Sequence, residues 1–245
     1  MDFAAYRSLQ QETVIDDLKV SYVVQGEGMP LVGYGYSDQR DRFDRSIKVQ
    51  ARMLSRLLEQ LNVQDVFVAG HVIGGAVAQR FVVDHADRVP KWVLIDSVLY
   101  DSWPADPMVR LGNPKQHYTT RGDELAKKFI ERLPDGFHHR DRATPEMLQG
   151  WMKPYMTDEG KLSLIRNASA LNTNHTMELI DDLKRLTQPV MLLWGAKDQF
   201  QPLASAERFK AEFPAADLRV VPDSDHFMPF EKPDDVARNL IEFLG

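Results

Sequence analysis

The sequence predicts an α/β fold, in which a parallel sheet is covered by helices on both faces. Short apolar runs that suit β-strands alternate along the chain with amphipathic helical segments, which is the pattern of such a sheet. The length of 245 residues suffices for one domain of this kind with an inserted cap. We therefore expect one α/β core with a smaller helical insertion.

The elements follow in a regular order. Two β-like runs at 12–15 and 18–24 open the chain, and a helix at 46–61 carries apolar residues at helical spacing. A second helix at 75–85 separates the apolar runs 65–69 and 92–95. Two more apolar runs, at 189–194 and 218–221, complete the predicted sheet, and helices lie between and after them.

Residues 101–186 have a different pattern. They contain several prolines, helical stretches at 123–133 and 177–186, and no convincing strand. A helical insertion between two strands is the simplest explanation. We accordingly predict a core formed by residues 1–100 and 187–245 and a helical cap formed by residues 101–186.

The composition excludes several classes of function. A formal net charge of −6 and the lack of a dense Lys/Arg cluster argue against a nucleic-acid or anionic-membrane partner. The chain has 0 cysteines, which excludes disulfides, thiolate metal sites and cysteine nucleophiles. The histidines show no metal-ligand spacing, so no metal or cofactor is expected. Without a signal peptide or an apolar run of about 18–20 residues, a cytoplasmic protein is expected.

A strand-to-helix turn is the first candidate site. The chain reads Phe67-Val68-Ala69-Gly70-His71-Val72-Ile73-Gly74-Gly75, and small residues two before and two after Val72 permit a strained turn that exposes the central side chain. The helix that follows would direct backbone N–H groups, such as that of Ile73, at developing negative charge. Taken alone, the pattern is equally consistent with an ordinary tight turn.

Two further residues strengthen this interpretation. Asp198 follows one apolar run and His226 follows the next, so both should lie with the turn at the carboxyl edge of the sheet. Each alone has an ordinary alternative, a turn carboxylate for Asp198 and a surface loop histidine for His226. With the turn at Val72 first, their chain order is nucleophile, acid, histidine, which is the order that hydrolases with a nucleophile on such a turn require.

Taken together, the motifs resemble the α/β-hydrolase superfamily from about Val14 to Leu244. The resemblance implies that His226 is the general base, Asp198 its orienting partner and residues 101–186 the cap above the substrate pocket. The most similar branches are the capped epoxide hydrolases, haloalkane dehalogenases and carbon–carbon or ester hydrolases. The motifs that carry the resemblance are Gly33-Tyr34-Gly35-Tyr36-Ser37-Asp38, Gly70-His71-x-Ile73-Gly74-Gly75, Trp194-Gly195-x-x-Asp198-x-x-x-Pro202 and Asp225-His226-Phe227.

The first departure from the family pattern is Val72, which stands where the family carries Ser, Asp or Cys. An isopropyl group can neither attack a substrate nor be activated by His226. Loss of the nucleophile typically lowers kcat by about 10⁶. Because Gly-His-x-Ile-Gly-Gly resembles the turn of the Asp-nucleophile branch, we favour an Asp over a Ser ancestor, or a deliberate inactivating substitution, as the origin of Val72.

The second departure is a gap at 32–33. In the family, the run that begins Pro30-Leu31-Val32 continues through a strand, a His-Gly turn, a helix and another strand, or roughly 30 residues at usual element lengths. The missing turn supplies one of two oxyanion donors, whereas that on Ile73 remains. The sheet should thus lack about two strands and a helix. Either a hairpin formed by the two opening β-like runs or a second chain would then cover the elbow strand, which is the strand that precedes the turn at Val72.

These observations leave three functional hypotheses. The first is a hydrolase by lineage for an epoxide, carbon–halogen or ester bond, inactive or severely impaired as written. The second is a non-catalytic ligand-binding protein, and the third is general-base catalysis by His226–Asp198 without a covalent intermediate. Trp103 and His71 are the candidate substrate-binding residues, for a small apolar substrate or ligand. The open strand edges would favour a homodimer.

Overall fold

A computed structural model describes residues 8–23 and 34–245. The chain divides into two compact units. The first comprises Met1–Leu57, Ala105–Pro134 and Ala143–Leu171, and the second comprises Leu58–Pro104, Asp135–Arg142 and Asn172–Gly245. The gap predicted at 32–33 lies outside the described residues.

The strands and α-helices alternate in the order expected from the sequence, with single-turn 3₁₀ helices at Ala86–Arg88, Leu133–Gly136, Arg140–Arg142 and Lys153–Tyr155. In chain order they are β1 (Gln10–Ile15), β2 (Leu18–Val23), α1 (Ile47–Gln60), β3 (Val68–His71), α2 (Ile73–Asp84), β4 (Trp92–Ile95), α3 (Asp106–Leu111), α4 (Lys115–Thr119), α5 (Gly122–Arg132), α6 (Pro145–Met152), α7 (Asp158–Ser169), α8 (Asn174–Met177), α9 (Ile180–Leu183), β5 (Val190–Gly195), α10 (Leu203–Glu212), β6 (Asp217–Val221), α11 (Met228–Glu231) and α12 (Pro233–Leu244).

The first unit contains a β-hairpin packed on α1. Strands β1 and β2 pair antiparallel with Ile15 opposite Leu18, and the two residues between them, Asp16 and Asp17, have φ values of 52° and 61°. Positive φ at both central residues is the geometry of a two-residue hairpin turn, which Asp tolerates better than most residues. Ile15 and Leu18 are buried against Met53 of α1, so the hairpin and the helix share one apolar core.

Helices of the predicted cap form a second apolar core in the first unit. Leu125 of α5, Met152 of α6 and Ile165 of α7 are buried together. The buried guanidinium of Arg45 lies beside α7, where it donates to Ser163 Oγ at 2.9 Å and to Asn167 Oδ1 at 2.6 Å. Because an unpaired buried cation is costly, these bonds stabilise the attachment of α7 to the segment before α1.

A four-stranded parallel sheet in the order β3-β4-β5-β6 organises the second unit. Val93 and Leu193 point to one face, where they pack against Val236 of α12. Trp92, one residue before Val93, packs on Phe209 of α10, with 6.4 Å between the ring centroids. Since successive strand residues point to opposite faces, helices cover both faces, as predicted.

The predicted bounds of most elements agree with the structure within a few residues, but two predictions were wrong in detail. The strand predicted at 65–69 is β3 at Val68–His71, because the preceding segment pairs with Arg88 instead: Val66 N–H donates to Arg88 O, and the Arg88 guanidinium donates to Gln64 O and Val63 O. The helix predicted at 177–186 is two short helices, α8 and α9.

Within the described ranges, 8–23 and 34–245, the hairpin strands pair only with each other and β3 is an edge strand whose Ala69 is exposed. The alternative in which the hairpin pairs with the elbow strand is therefore not realised there. None of the helices in these ranges combines the length and apolar character that crossing a bilayer requires.

Candidate active site

The turn between β3 and α2 is the strained turn that the sequence predicts. Val72 has φ 53° and ψ −119°, the backbone geometry of the first central residue of a type II′ turn, which glycine dominates. A β-branched residue at positive φ is a genuine outlier. The turn is held by Val72 N–H, which donates to Ile95 O at 3.3 Å, and by Val72 O, which accepts from Val98 N–H at 3.2 Å.

Glycines on either side allow this turn to pack tightly. A Cβ atom on Gly70 would lie 2.4 Å from Gly74 O, and one on Gly75 would lie 1.5 Å from Ser97 Oγ. Both distances are below any real contact, so only glycine fits at these two positions. Ser97 is buried beneath the turn, where its hydroxyl donates to Val72 O at 3.4 Å. Ile73 is the first residue of α2, so its N–H lies at the helix end that favours an anion.

The two loop residues predicted from the sequence come together. His226 Nδ1 lies 3.1 Å from Asp198 Oδ2, and the side chains are 7% and 0% exposed. Asp198 Oδ1 accepts the backbone N–H groups of Phe200 at 2.7 Å and Gln201 at 2.8 Å. With Nδ1–H donated to the carboxylate, the lone pair of His226 is on Nε2, the tautomer that a general base requires.

His71 joins the turn to the histidine loop. Its Nε2 lies 2.7 Å from His226 O, and because a carbonyl oxygen can only accept, Nε2 carries the proton. Burial, and secondarily the neighbouring His226, lower the pKa of His71 to about 4. His71 is thus neutral at pH 7. The structure shows it as a support of the His226 backbone, and its predicted contact with substrate stays a prediction.

Trp103, the other candidate for substrate binding, is 4% exposed and packs within the second unit. Its indole Nε1–H donates to Thr176 Oγ1 at 2.8 Å, and its carbonyl accepts from Thr173 Oγ1 at 2.6 Å. This is the packing role that a tryptophan in the insertion can equally well serve. A contact between Trp103 and substrate also stays a prediction.

Sequence reasoning missed three buried carboxyl groups around this pair. Asp96, at the end of β4, is 0% exposed and accepts Gly195 N–H at 2.7 Å. Burial, reinforced by the charge of Asp198, raises the pKa of Asp96 well above its usual range. Asp225 and Glu231 are each 2% exposed. Asp96 follows an apolar run at the carboxyl edge of the sheet as Asp198 does, a signal that could have identified it.

No group of three or more His, Asp or Glu side chains arranged to hold a metal ion occurs in the described part of the chain. The arrangement can instead take up and return a proton at His226 Nε2. An anion could be stabilised by the N-terminal end of α2. What the turn does not offer is an oxygen or sulfur nucleophile on residue 72.

The chain belongs to the α/β hydrolase fold family, whose model matches residues 30–233. Haloalkane dehalogenase 2 of Mycobacterium tuberculosis is 26% identical over 226 residues, covering 87% of this chain and 76% of the relative. A 2-hydroxy-6-oxononadienedioate/2-hydroxy-6-oxononatrienedioate hydrolase of Cupriavidus pinatubonensis is 22% identical, covering 87% and 73%. The crystal structure of an α/β hydrolase fold protein from Burkholderia ambifaria superposes with a TM-score of 0.84 at 17% identity, covering 96% and 97%.

Proposed function

We propose that this chain is a capped α/β-hydrolase by lineage in which Val72 occupies the nucleophile position, so that covalent hydrolysis is lost or severely impaired. The observation that carries the proposal is the backbone of Val72. The turn holds residue 72 in a backbone conformation suited to glycine, although the valine side chain there carries no nucleophilic atom. Such strain is concentrated at functional sites, where the surrounding structure over-determines it.

The intact acid–histidine pair supports the same lineage. The Asp198 carboxyl group accepts two backbone N–H groups and faces His226, which is the arrangement that orients a histidine as a base. With an Asp at position 72, attack on a carbon–halogen carbon would form an ester and release halide. Attack on an epoxide carbon would form an ester and break the ring C–O bond, leaving an alkoxide that takes a proton from solvent. In both cases water that has given a proton to His226 Nε2 would hydrolyse the ester, releasing the alcohol and restoring the Asp carboxylate. We favour this branch because the relatives include a haloalkane dehalogenase and the turn resembles that of the Asp-nucleophile branch.

The test compares the unchanged protein with Val72→Asp and Val72→Ser on a chromogenic ester, an epoxide and a haloalkane. Val72→Asp should raise epoxide or haloalkane turnover by orders of magnitude, up to the ~10⁶ that a nucleophile typically contributes. Val72→Asn is the matched control, because it has the shape of Asp without a nucleophilic carboxylate. Inert Val72→Asp and Val72→Ser proteins that remain folded would overturn the proposal.

Two alternative functions are distinguished by comparing the unchanged protein with His226→Ala. The buried, hydrogen-bonded His226–Asp198 pair favours general-base catalysis on water or on an acidic substrate proton, worth about 10²–10⁴-fold. It predicts activity in the unchanged protein that His226→Ala abolishes and no trapped covalent intermediate. A ligand-binding protein instead predicts saturable binding of an apolar ligand that His226→Ala leaves unchanged.

Several further properties of the protein that the sequence predicts are also part of this proposal. They are a small apolar substrate or ligand, the division into core and cap at 101–186, the homodimer, the cytoplasmic location, and the absence of cofactors and of nucleic-acid or membrane partners. Equilibrium sedimentation would test the dimer.

A further inference from the structure

Asp225 lies between the two loops that carry the acid and the histidine. Asp225 is 2% exposed, and its carboxyl group accepts three N–H groups. Oδ1 accepts the backbone N–H of His226 at 2.7 Å and that of Gln199 at 3.1 Å, and Oδ2 accepts Gln199 Nε2–H at 3.0 Å. One carboxylate oxygen is therefore shared by His226 itself and by the residue that follows Asp198.

A second buried carboxylate supports the loop of Asp225 from behind. Glu231 Oε2 accepts Asp225 N–H at 3.0 Å and the Ser224 hydroxyl at 3.3 Å, and Oε1 accepts the backbone N–H of His139. Glu231 is on α11, so the loop before His226 is connected to a helix that begins two residues after it. The loop of Asp225 is thereby fixed on both sides.

We propose that Asp225 is a positioning residue, whose carboxylate fixes the loop of Asp198 to the loop of His226 and so sets the distance and alignment of that pair. Each loop alone is a turn after a strand, and the 3.1 Å contact between their side chains is one hydrogen bond. Asp225 accepts three N–H groups, two of them from Gln199 in the loop of Asp198, whereas the pair that it aligns shares a single hydrogen bond.

The inference deepens the proposed function and rests on it for the role of the pair, but its first test needs no turnover. The proton that His226 Nδ1 donates to Asp198 gives a downfield ¹H resonance, which is seen only while the hydrogen bond excludes exchange with water. We would record it in the unchanged protein and in Asp225→Ala, Asp225→Asn and Asp223→Ala. Asp223 is an exposed carboxylate in the same loop and supplies the control.

The expected result is loss or a large upfield shift of the resonance in Asp225→Ala. It should be retained in Asp225→Asn, whose amide oxygen can still accept both backbone N–H groups, and in Asp223→Ala. A folded Asp225→Ala with an unchanged resonance would overturn the proposal. Should the alanine variant fail to fold, Asp225→Ser, whose shorter side chain cannot reach both N–H groups, takes its place with the same two outcomes.

A kinetic test separates this inference from the proposed function. In the Val72→Asp background, Asp225→Ala should lower kcat on the order of 10²-fold, the effect of misplacing a catalytic group by about 1 Å, with KM little changed. If Val72→Asp has no activity but the resonance behaves as expected, the proposed function fails and the role of Asp225 stands. If Val72→Asp is active and Asp225→Ala changes neither kcat nor the resonance, the opposite holds.

Discussion

Replacement of Val72 by glycine should stabilise the protein, although it removes a partly buried side chain. A residue in so sparsely populated a conformation costs about 1–3 kcal/mol, and glycine removes that cost. Glycine in turn loses about 0.5–1 kcal/mol of chain entropy relative to alanine. These two backbone contributions together give a net gain of about 1 kcal/mol, equivalent to about 2–4 °C in melting temperature for a chain of this length, from which the lost burial of the isopropyl group is subtracted.

The comparison with Val72→Ala isolates the backbone contribution, because alanine retains the Cβ atom that makes positive φ unfavourable. We expect the glycine variant to be more stable than the alanine variant by about 1–2 kcal/mol in urea-induced unfolding. Val109, 55% exposed in α3, provides the control. There, in an ordinary helix, alanine should be the more stable substitution by up to about 1 kcal/mol.

The sign of the stability difference between the glycine and alanine variants at position 72 decides the result. If alanine at position 72 is as favourable as it is at position 109, the turn does not hold residue 72 at positive φ in solution. The backbone of Val72 would then no longer support a nucleophile position retained by the fold.

Three further predictions concern the same site. Gly75→Ala should destabilise the protein by about 1–3 kcal/mol in thermal unfolding, because the new Cβ atom collides with Ser97. Adding Ser97→Gly to that variant should recover most of the loss. Gly74→Ala, whose Cβ atom meets nothing within 4 Å, should be neutral or stabilising. The pKa of His71 is about 4 in the folded protein and about 6.5 in the unfolded chain, so the protein should lose at most about 3 kcal/mol of stability as the pH falls from 6.5 to 4. His71→Gln should lack this loss when urea unfolding is compared at pH 7 and 4.5. Equal losses in the two proteins would contradict the prediction. The pKa of Asp96 is raised in the folded protein, so its contribution to folding stability is complete only below about pH 4. Above that pH, and up to the raised pKa, the stability of Asp96→Asn relative to the unchanged protein should rise by about 1.4 kcal/mol per pH unit. A difference that does not change with pH would show that Asp96 stays ionised.

The strong periodic signals were predictable from sequence. Strand β4 has the predicted bounds because four apolar residues, Trp92–Ile95, are buried on both sides of a central strand. Topology placed Asp198 and His226 at the same edge, since residues after parallel strands meet there, and the resemblance to the α/β-hydrolase superfamily made them a pair. Fold rules and that resemblance together therefore sufficed for the pair.

The remaining features depend on tertiary partners that a sequence does not reveal. The first residues of the predicted third strand are apolar, yet Val66 is bonded to Arg88 and Phe67 is 52% exposed. Asp225 and Glu231 look like ordinary surface carboxylates in the sequence, because acidic residues are seldom buried without partners. Most of their partners are backbone N–H groups, which carry no sequence signal.

The segment 135–142 bears on how chimeras of this protein should be built. It lies inside the predicted cap, yet Gly136 O accepts Phe227 N–H at 3.1 Å and Phe137 packs on Phe227 with 5.0 Å between ring centroids. Exchanging residues 101–186 with a relative as one block would thus remove support from the loop that carries His226. Grafting 105–134 and 143–171 as two separate pieces leaves that support of the catalytic histidine loop in place.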